Sequence, residues 1–254
     1  RRALLAVVAM ACQIGQAGDS LFGRAVGPAC FDFTLLFEQS LFQLVPSALL
    51  FVFLPLRVSQ LRRQNVKVLR NGARFVKTAS IAILAIAQLV LLVLWCLSPQ
   101  YRTKVSIPAA AISCLASLSL VYLSNLEHSR SIRPSSVINL YLFASLVLDI
   151  PQARTLWLRQ APKEVSAVFT ACLGLKIMVL FLEARGKRGL LFPQYRLYAP
   201  EALVNLFNRT VLWWLNPLFW QGYNNFLAIE KLYNVDPDLA SPAVQARFNT
   251  VKED

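Results

Sequence analysis

The chain has 254 residues, of which 56% are hydrophobic and only 15% are charged. Soluble domains carry about a quarter charged residues and less than half apolar residues. This composition therefore excludes a single soluble core, a disordered chain and a disulfide scaffold, and it indicates a membrane protein. A formal net charge of +13 would suggest a nucleic-acid partner for a soluble protein, but in a membrane protein it is typical of basic cytoplasmic loops.

The first 32 residues precede the first long apolar run and form an N-terminal segment. Its apolar stretch at 3–14 is too short to span a bilayer and is similar to a signal-peptide core. Position 1 is not methionine, so we expect a record that is truncated or extended upstream, with Met10 as a candidate start. Cys12 and Cys30 lie in this segment, and a disulfide between them is left open because an outside location would permit it.

Five apolar runs are long enough to cross a bilayer, which takes about 20 helical residues. They fall at 33–56, 75–97, 105–126, 136–158 and 165–184. Short connectors, polar or containing proline, separate them. We therefore predict an all-α membrane protein with a five-transmembrane-helix bundle at 33–184.

Loop charges predict the orientation of this bundle. Six lysines and arginines with no acidic residue follow the first run, two lie between runs three and four, and four follow run five. The two opposite loops hold four in total. The positive-inside rule then places the N-terminus outside and the C-terminus in the cytoplasm. The first loop lacks the aromatic residues of a nucleic-acid patch, whereas anionic lipid headgroups remain a plausible ligand.

Four ionisable residues fall inside the apolar runs, where unpaired charges are costly. Glu38 and Arg154 lie near the outer ends of the first and fourth runs, and Asp149 and Lys176 lie near the middles of the fourth and fifth. The matching depths predict two ion pairs, Glu38–Arg154 and Asp149–Lys176. These charges could line an ion or substrate path, but they do not form one continuous route, so structural neutralisation is the favoured interpretation.

No catalytic, metal-binding or cofactor-binding motif is visible in the sequence. His128 is the only histidine, and one histidine without clustered partners does not make a metal site. The phosphate-binding pattern G-x-x-x-x-G-K-[ST] does not occur, so we predict no nucleotide site in this chain. Asn208 begins a glycosylation sequon, which the predicted topology places on the silent cytoplasmic side.

The segment after the fifth run, residues 185–254, is strongly aromatic and too interrupted to be a sixth span. Apolar residues recur at helical spacing between 203 and 215, after which Asn216-Pro217 is expected to break the helix. Because Trp and Tyr favour the membrane–water boundary, we predict an amphipathic, interfacial or docked segment. Ser241-Pro242 begins a further predicted helix, and the whole pattern is typical of the front end of a larger protein.

Four stretches of the sequence carry a family resemblance. They read FDFTLLFEQS at 31–40, LEHSRSIRPSSVINLYL at 126–142, RTLWLR at 154–159, and NRTVLWWLNPLFWQGY at 208–223 followed by KLYNVDPDL at 231–239. With them, residues 10–254 resemble the N-terminal region of fungal ABC transporters of subfamily C, the multidrug-resistance-associated type. Residues 1–9 match nothing in that family and are a candidate gene-model extension.

The resemblance implies an accessory five-span bundle at 33–184, a cytoplasmic lasso linker at 185–254, and a transport core that this sequence does not contain. The parent protein would use ATP and Mg to export organic anions, drugs or conjugates across the plasma or vacuolar membrane. This chain would be no enzyme and could not pump alone. It would serve membrane anchoring, trafficking or regulation, and docking on the transport core.

Aromatic anchors usually dominate such docking contacts. The residues predicted to dock the lasso are Trp213, Trp214, Pro217, Leu218, Phe219, Gly222 and Tyr223. The expected partners are the lipid bilayer, the transport core of the same chain and other membrane proteins, but no nucleic acid.

Two other functions stay open. A stand-alone five-span scaffold could bind a separate membrane protein. A small channel or carrier is supported only by the charges inside the bundle, and the inverted repeat expected of many carriers is absent from the sequence. The sequence leaves open the transported substrate, the membrane, the oligomeric state and whether the chain is naturally short.

Overall fold

A computed structural model describes residues 22–27, 30–65, 72–132, 134–158, 162–185, 200–225 and 245. A short antiparallel hairpin comes first, with β1 at Arg24–Gly27 and β2 at Cys30–Phe33. The sequence analysis had not predicted it. Thr34 joins the hairpin to the first helix, because its hydroxyl donates to the Gly23 carbonyl at 3.1 Å and accepts from the Phe37 amide at 3.3 Å.

Five long helices follow and make up the bundle. They are α1 at Leu35–Arg62, α2 at Gly72–Leu97, α3 at Ser106–Arg130, α4 at Ser136–Leu158 and α5 at Lys163–Ala184. All five are long and apolar enough to cross a membrane. The shortest has 22 residues, which at a rise of about 1.5 Å per residue covers the roughly 30 Å hydrocarbon core. The predicted all-α bundle with five spans is confirmed.

The first helix changes its winding part of the way along. A π-helical stretch at Glu38–Leu44 separates the turn at Leu35–Phe37 from the α-helix at Val45–Arg62. Pro46 lies in the first turn after this stretch. Proline lacks an amide hydrogen and clashes with the carbonyl four residues earlier, so a wider turn at this point relieves the conflict. The wide turns also direct three polar side chains into the bundle: Glu38, Gln39 and Gln43.

The helices pack as a closed ring whose order differs from the order of the chain. Around the ring α1 contacts α3, α3 contacts α2, α2 contacts α5, α5 contacts α4, and α4 returns to α1. Small buried residues on α3, among them Ala109, Ala110 and Ala116, allow the neighbouring helices to approach closely. Leucines dominate one buried cluster, and Trp95 and Phe169 belong to a second. The ring therefore encloses two packed hydrophobic clusters.

The described part of the linker consists of short helices. These are α6 at Pro200–Leu203, α7 at Leu206–Thr210, a 3₁₀ turn at Trp213–Leu215 and α8 at Asn216–Asn224. The expectation that Asn216-Pro217 breaks a helix is wrong. Pro217 stands in the first turn of α8, where its missing amide hydrogen would have no partner in any case and its fixed φ suits a helix start.

Candidate functional site

The structure brings Asp149 and Lys176 together in the interior of the bundle. The Lys176 ammonium donates to Asp149 Oδ2 at 2.5 Å, which ties α4 to α5. The residues are only 4% and 7% exposed. A charge in hydrocarbon is costly unless it is paired with an opposite charge. Asp149 and Lys176 neutralise each other, and the pair fixes the register of α4 against α5.

Glu38 and Arg154 are placed differently. Glu38 is fully buried and its Oε1 accepts a hydrogen bond from the Thr155 hydroxyl at 2.8 Å, whereas Arg154 is exposed. The predicted Glu38–Arg154 pair stays a prediction.

Two further ion pairs lie toward the opposite end of the helices and were missed by the sequence analysis. Arg57 of α1 donates to Glu127 of α3 at 2.7 Å, and Lys77 of α2 lies 3.2 Å from Glu183 of α5. Ser124 of α3 also donates to Glu183. Glu127, Lys77 and Glu183 are nearly completely buried. Their position at or just beyond the ends of apolar runs was the available signal, but it also suits loop charges that only set topology.

The Arg130 guanidinium caps the C-terminal end of α1. Its Nη1 lies 3.3, 2.7 and 3.3 Å from the carbonyl oxygens of Leu61, Arg62 and Gln64. The last carbonyls of a helix have no partner within the helix, so Arg130 caps α1 from the end of α3. Arg62 in turn donates to the Tyr122 hydroxyl at 2.6 Å. Some basic residues therefore hold the helix ends together.

A polar contact also joins α1 to α3 near the hairpin end of the bundle. Gln39 Oε1 accepts hydrogen bonds from the hydroxyls of Thr103 at 2.6 Å and Ser106 at 2.8 Å. Gln39 is 1% exposed. The π-helical stretch thus anchors α1 on α3 through Gln39 and on α4 through Glu38.

The residues predicted to dock the lasso form an aromatic surface at 213–223. Trp213, Phe219 and Tyr223 are 64%, 65% and 83% exposed, and Trp220, which was not among the predicted residues, is 71% exposed. The other predicted residues are exposed or half-buried: Trp214, Pro217, Leu218 and Gly222. Contiguous apolar surface of this kind marks interaction sites. Docking itself stays a prediction.

The cysteines fall into two groups, one near the N-terminus and one within the bundle. Cys12 and the side chain of Cys30 lie outside the described residues, so the predicted bridge stays a prediction. Cys96, Cys114 and Cys172 are free thiols. Within the described ranges, no group of three or more His, Cys, Asp or Glu side chains could hold a metal ion.

Five apolar helices packed around paired charges define a multi-pass membrane protein. The particular family follows from comparison with known proteins. Residues 24–170 match the family model described as the ABC transporter TMD0 domain. The chain belongs to this family.

Fungal ABC transporters are similar to almost the whole chain. It is 35% identical to the ABC transporter atnG of Emericella nidulans over 92% of this chain and 16% of that protein. It is 36% identical to ABC multidrug transporter B of Aspergillus fumigatus over 87% of this chain and 15% of that protein. It is 35% identical to ABC multidrug transporter lscH of Purpureocillium lilacinum over 91% and 15%. The chain thus spans about one-sixth of the length of these relatives.

Proposed function

We propose that this chain is the accessory membrane domain and lasso linker of a subfamily C exporter. The parent protein would bind ATP and Mg and expel organic anions, drugs or conjugates. Two of the relatives are named multidrug transporters, which supports this class of cargo. The chain itself performs no catalysis and cannot pump alone.

The local role of the chain is anchoring, trafficking or regulation, and docking on the transport core. The exposed aromatic surface at 213–223 is the observation that carries this role. Four of its aromatic side chains are more than 60% exposed, although large aromatic residues normally bury 150–250 Å² each when packed. A transport core of the same full-length chain is the surface against which they pack.

The orientation and the membrane belong to the same proposal. The basic connectors face the cytoplasm, the N-terminus lies outside or in the lumen, and the linker extends along the inner leaflet. Plasma and vacuolar membranes both fit this arrangement. The bilayer and the transport core are the principal partners, other membrane proteins are further ones, and nucleic acid is not a partner.

Truncation of the exposed anchors tests the docking role. The double variant Trp213→Ala/Phe219→Ala in the full-length transporter should lower ATP-dependent export or surface delivery by at least about thirty-fold, since loss of even one docked aromatic anchor often costs about 2 kcal/mol. Phe75→Ala is the matched control, because Phe75 is 77% exposed but lies on α2. If both export and delivery remain at the control's level, the docking role is wrong.

A stand-alone scaffold for a separate membrane protein is the alternative function. The size of the native product separates it from the proposal. Immunoblotting of source membranes with an antibody to residues 57–74 should detect a band several times larger than the 28.4 kDa of this chain. A band near 28 kDa would support the scaffold.

A further inference from the structure

The side-chain amide of Asn205 makes two hydrogen bonds with different parts of the protein. Its Oδ1 accepts from the Asn208 amide at 2.7 Å, which makes Asn205 the N-cap of α7. Its Nδ2 donates to the Ala184 carbonyl at 3.0 Å. Ala184 is the last residue of α5, so one side chain both starts a linker helix and holds it against the bundle.

Neighbouring contacts support the same placement. The rings of Phe207 on α7 and Phe143 on α4 have centroids 5.2 Å apart. Leu203 is 3% exposed although it belongs to the four-residue helix α6. Arg209 lies 2.9 Å from Glu201 and so connects α7 to α6. A helix as short as α7 is not stable alone in water, so its packing on the bundle maintains it.

The backbone conformation and the side-chain exposure of the linker change immediately after α7. Leu212 has φ 55°, a left-handed conformation that a non-glycine residue rarely adopts. Beyond it the aromatic side chains are mostly exposed. The linker therefore has a part at 203–210 that contacts the bundle and a part at 213–223 whose aromatic side chains are mostly exposed, with an elbow at Leu212 between them.

We infer that Asn205 is a positioning residue that registers the linker on the ends of α5 and α4 and thereby fixes the direction of the aromatic surface. The contact between linker and bundle stands on the geometry alone. Only its consequence for export rests on the proposed function. Loss of the Nδ2 donor should release α7 from the bundle even when the helix cap is intact.

Asn205→Asp separates the two hydrogen bonds. Aspartate caps a helix N-terminus as well as asparagine does, and its charge favours that end of the helix, but it has no donor for the Ala184 carbonyl. If capping alone held α7, this variant would leave amide exchange in 206–210 unchanged or slower. If the contact with α5 holds it, exchange should accelerate about five-fold, the effect of one lost hydrogen bond.

The measurement is hydrogen–deuterium exchange of the purified full-length protein. Asn224→Asp is the matched control, because among the described residues Asn224 donates to the Trp220 carbonyl within α8 at 2.8 Å. Phe207→Ala should accelerate exchange as well, since it removes the ring contact with Phe143 and leaves the cap in place. Exchange in 206–210 of the Asn205→Asp variant that stays at the level of the control would overturn the inference.

Export measured on the same variants distinguishes the two proposals. Faster exchange with reduced export supports both the contact and the docking role. Faster exchange with normal export supports the contact and counts against the docking role. Normal exchange overturns the positioning role of Asn205 whatever the export rate.

Discussion

Lys176→Met should destabilise the bundle strongly because it leaves Asp149 inside without its cationic partner. The carboxylate is only 4% exposed and cannot regain its hydration. Removal of one member of a buried pair costs about 3–5 kcal/mol. Asp149→Leu should cost a similar amount, since it leaves the Lys176 ammonium in the same position.

The double variant Asp149→Leu/Lys176→Met gives the decisive comparison. Two independent losses would add to about 6–10 kcal/mol. Replacement of a whole buried pair by apolar residues of similar volume is instead close to neutral. We therefore expect the double variant to be more stable than either single variant, and we expect the swap Asp149→Lys/Lys176→Asp to recover part of the loss.

The assay is reversible unfolding of the purified protein in lipid–detergent bicelles. The free energy of unfolding is measured for the unchanged protein, the two single variants and the double variant. Lys163→Met is the control. Lys163 is an exposed lysine at the start of the same helix, and its replacement should change stability by no more than about 0.5 kcal/mol. Additive losses in the double variant would refute the reasoning, because they would mean that the two charges do not stabilise each other.

Two further predictions concern the ends of the elements. Arg130→Met should raise amide exchange at residues 61–65 and cost about 1 kcal/mol, because it withdraws the donor from three carbonyls; unchanged exchange there would contradict the capping role. Leu212→Ile should loosen the linker by about 1 kcal/mol, whereas Leu212→Gly should not, since a branched Cβ fits φ 55° poorly. Proteolysis at 211–213 measures this difference, and equal cleavage of the two variants would exclude strain at the elbow.

Hydropathy was sufficient to predict the spans because each apolar run is long and its neighbours are polar. Hydropathy predicted the ends of the helices less accurately where polar side chains at those ends form ion pairs or hydrogen bonds. Helix α1 runs past its predicted end at residue 56 to Arg62, because Arg57 reaches Glu127 and Arg130 caps the final carbonyls. A sequence window records these residues only as charges after an apolar run, so their pairing could not be recognised.

Depth along the membrane normal was a good guide to one charge contact. Asp149 and Lys176 match in depth and also face each other. Depth alone did not predict that the Glu38 carboxylate accepts a hydrogen bond from the Thr155 hydroxyl. The direction around the helix axis decides which residue is met, and the π-helical stretch changes that direction locally. Regular helical spacing could not anticipate it.

The order in which the ribosome synthesises the five helices differs from their order around the ring. The partners Asp149 and Lys176 are separated by 27 residues, but Arg57 precedes Glu127 by 70 residues and Lys77 precedes Glu183 by 106. At a synthesis rate of about 5–20 residues per second, Glu183 is made on the order of ten seconds after its partner Lys77. The ion pair of Arg57 can form once α3 has been made, whereas that of Lys77 requires α5 and therefore forms only when the ring closes.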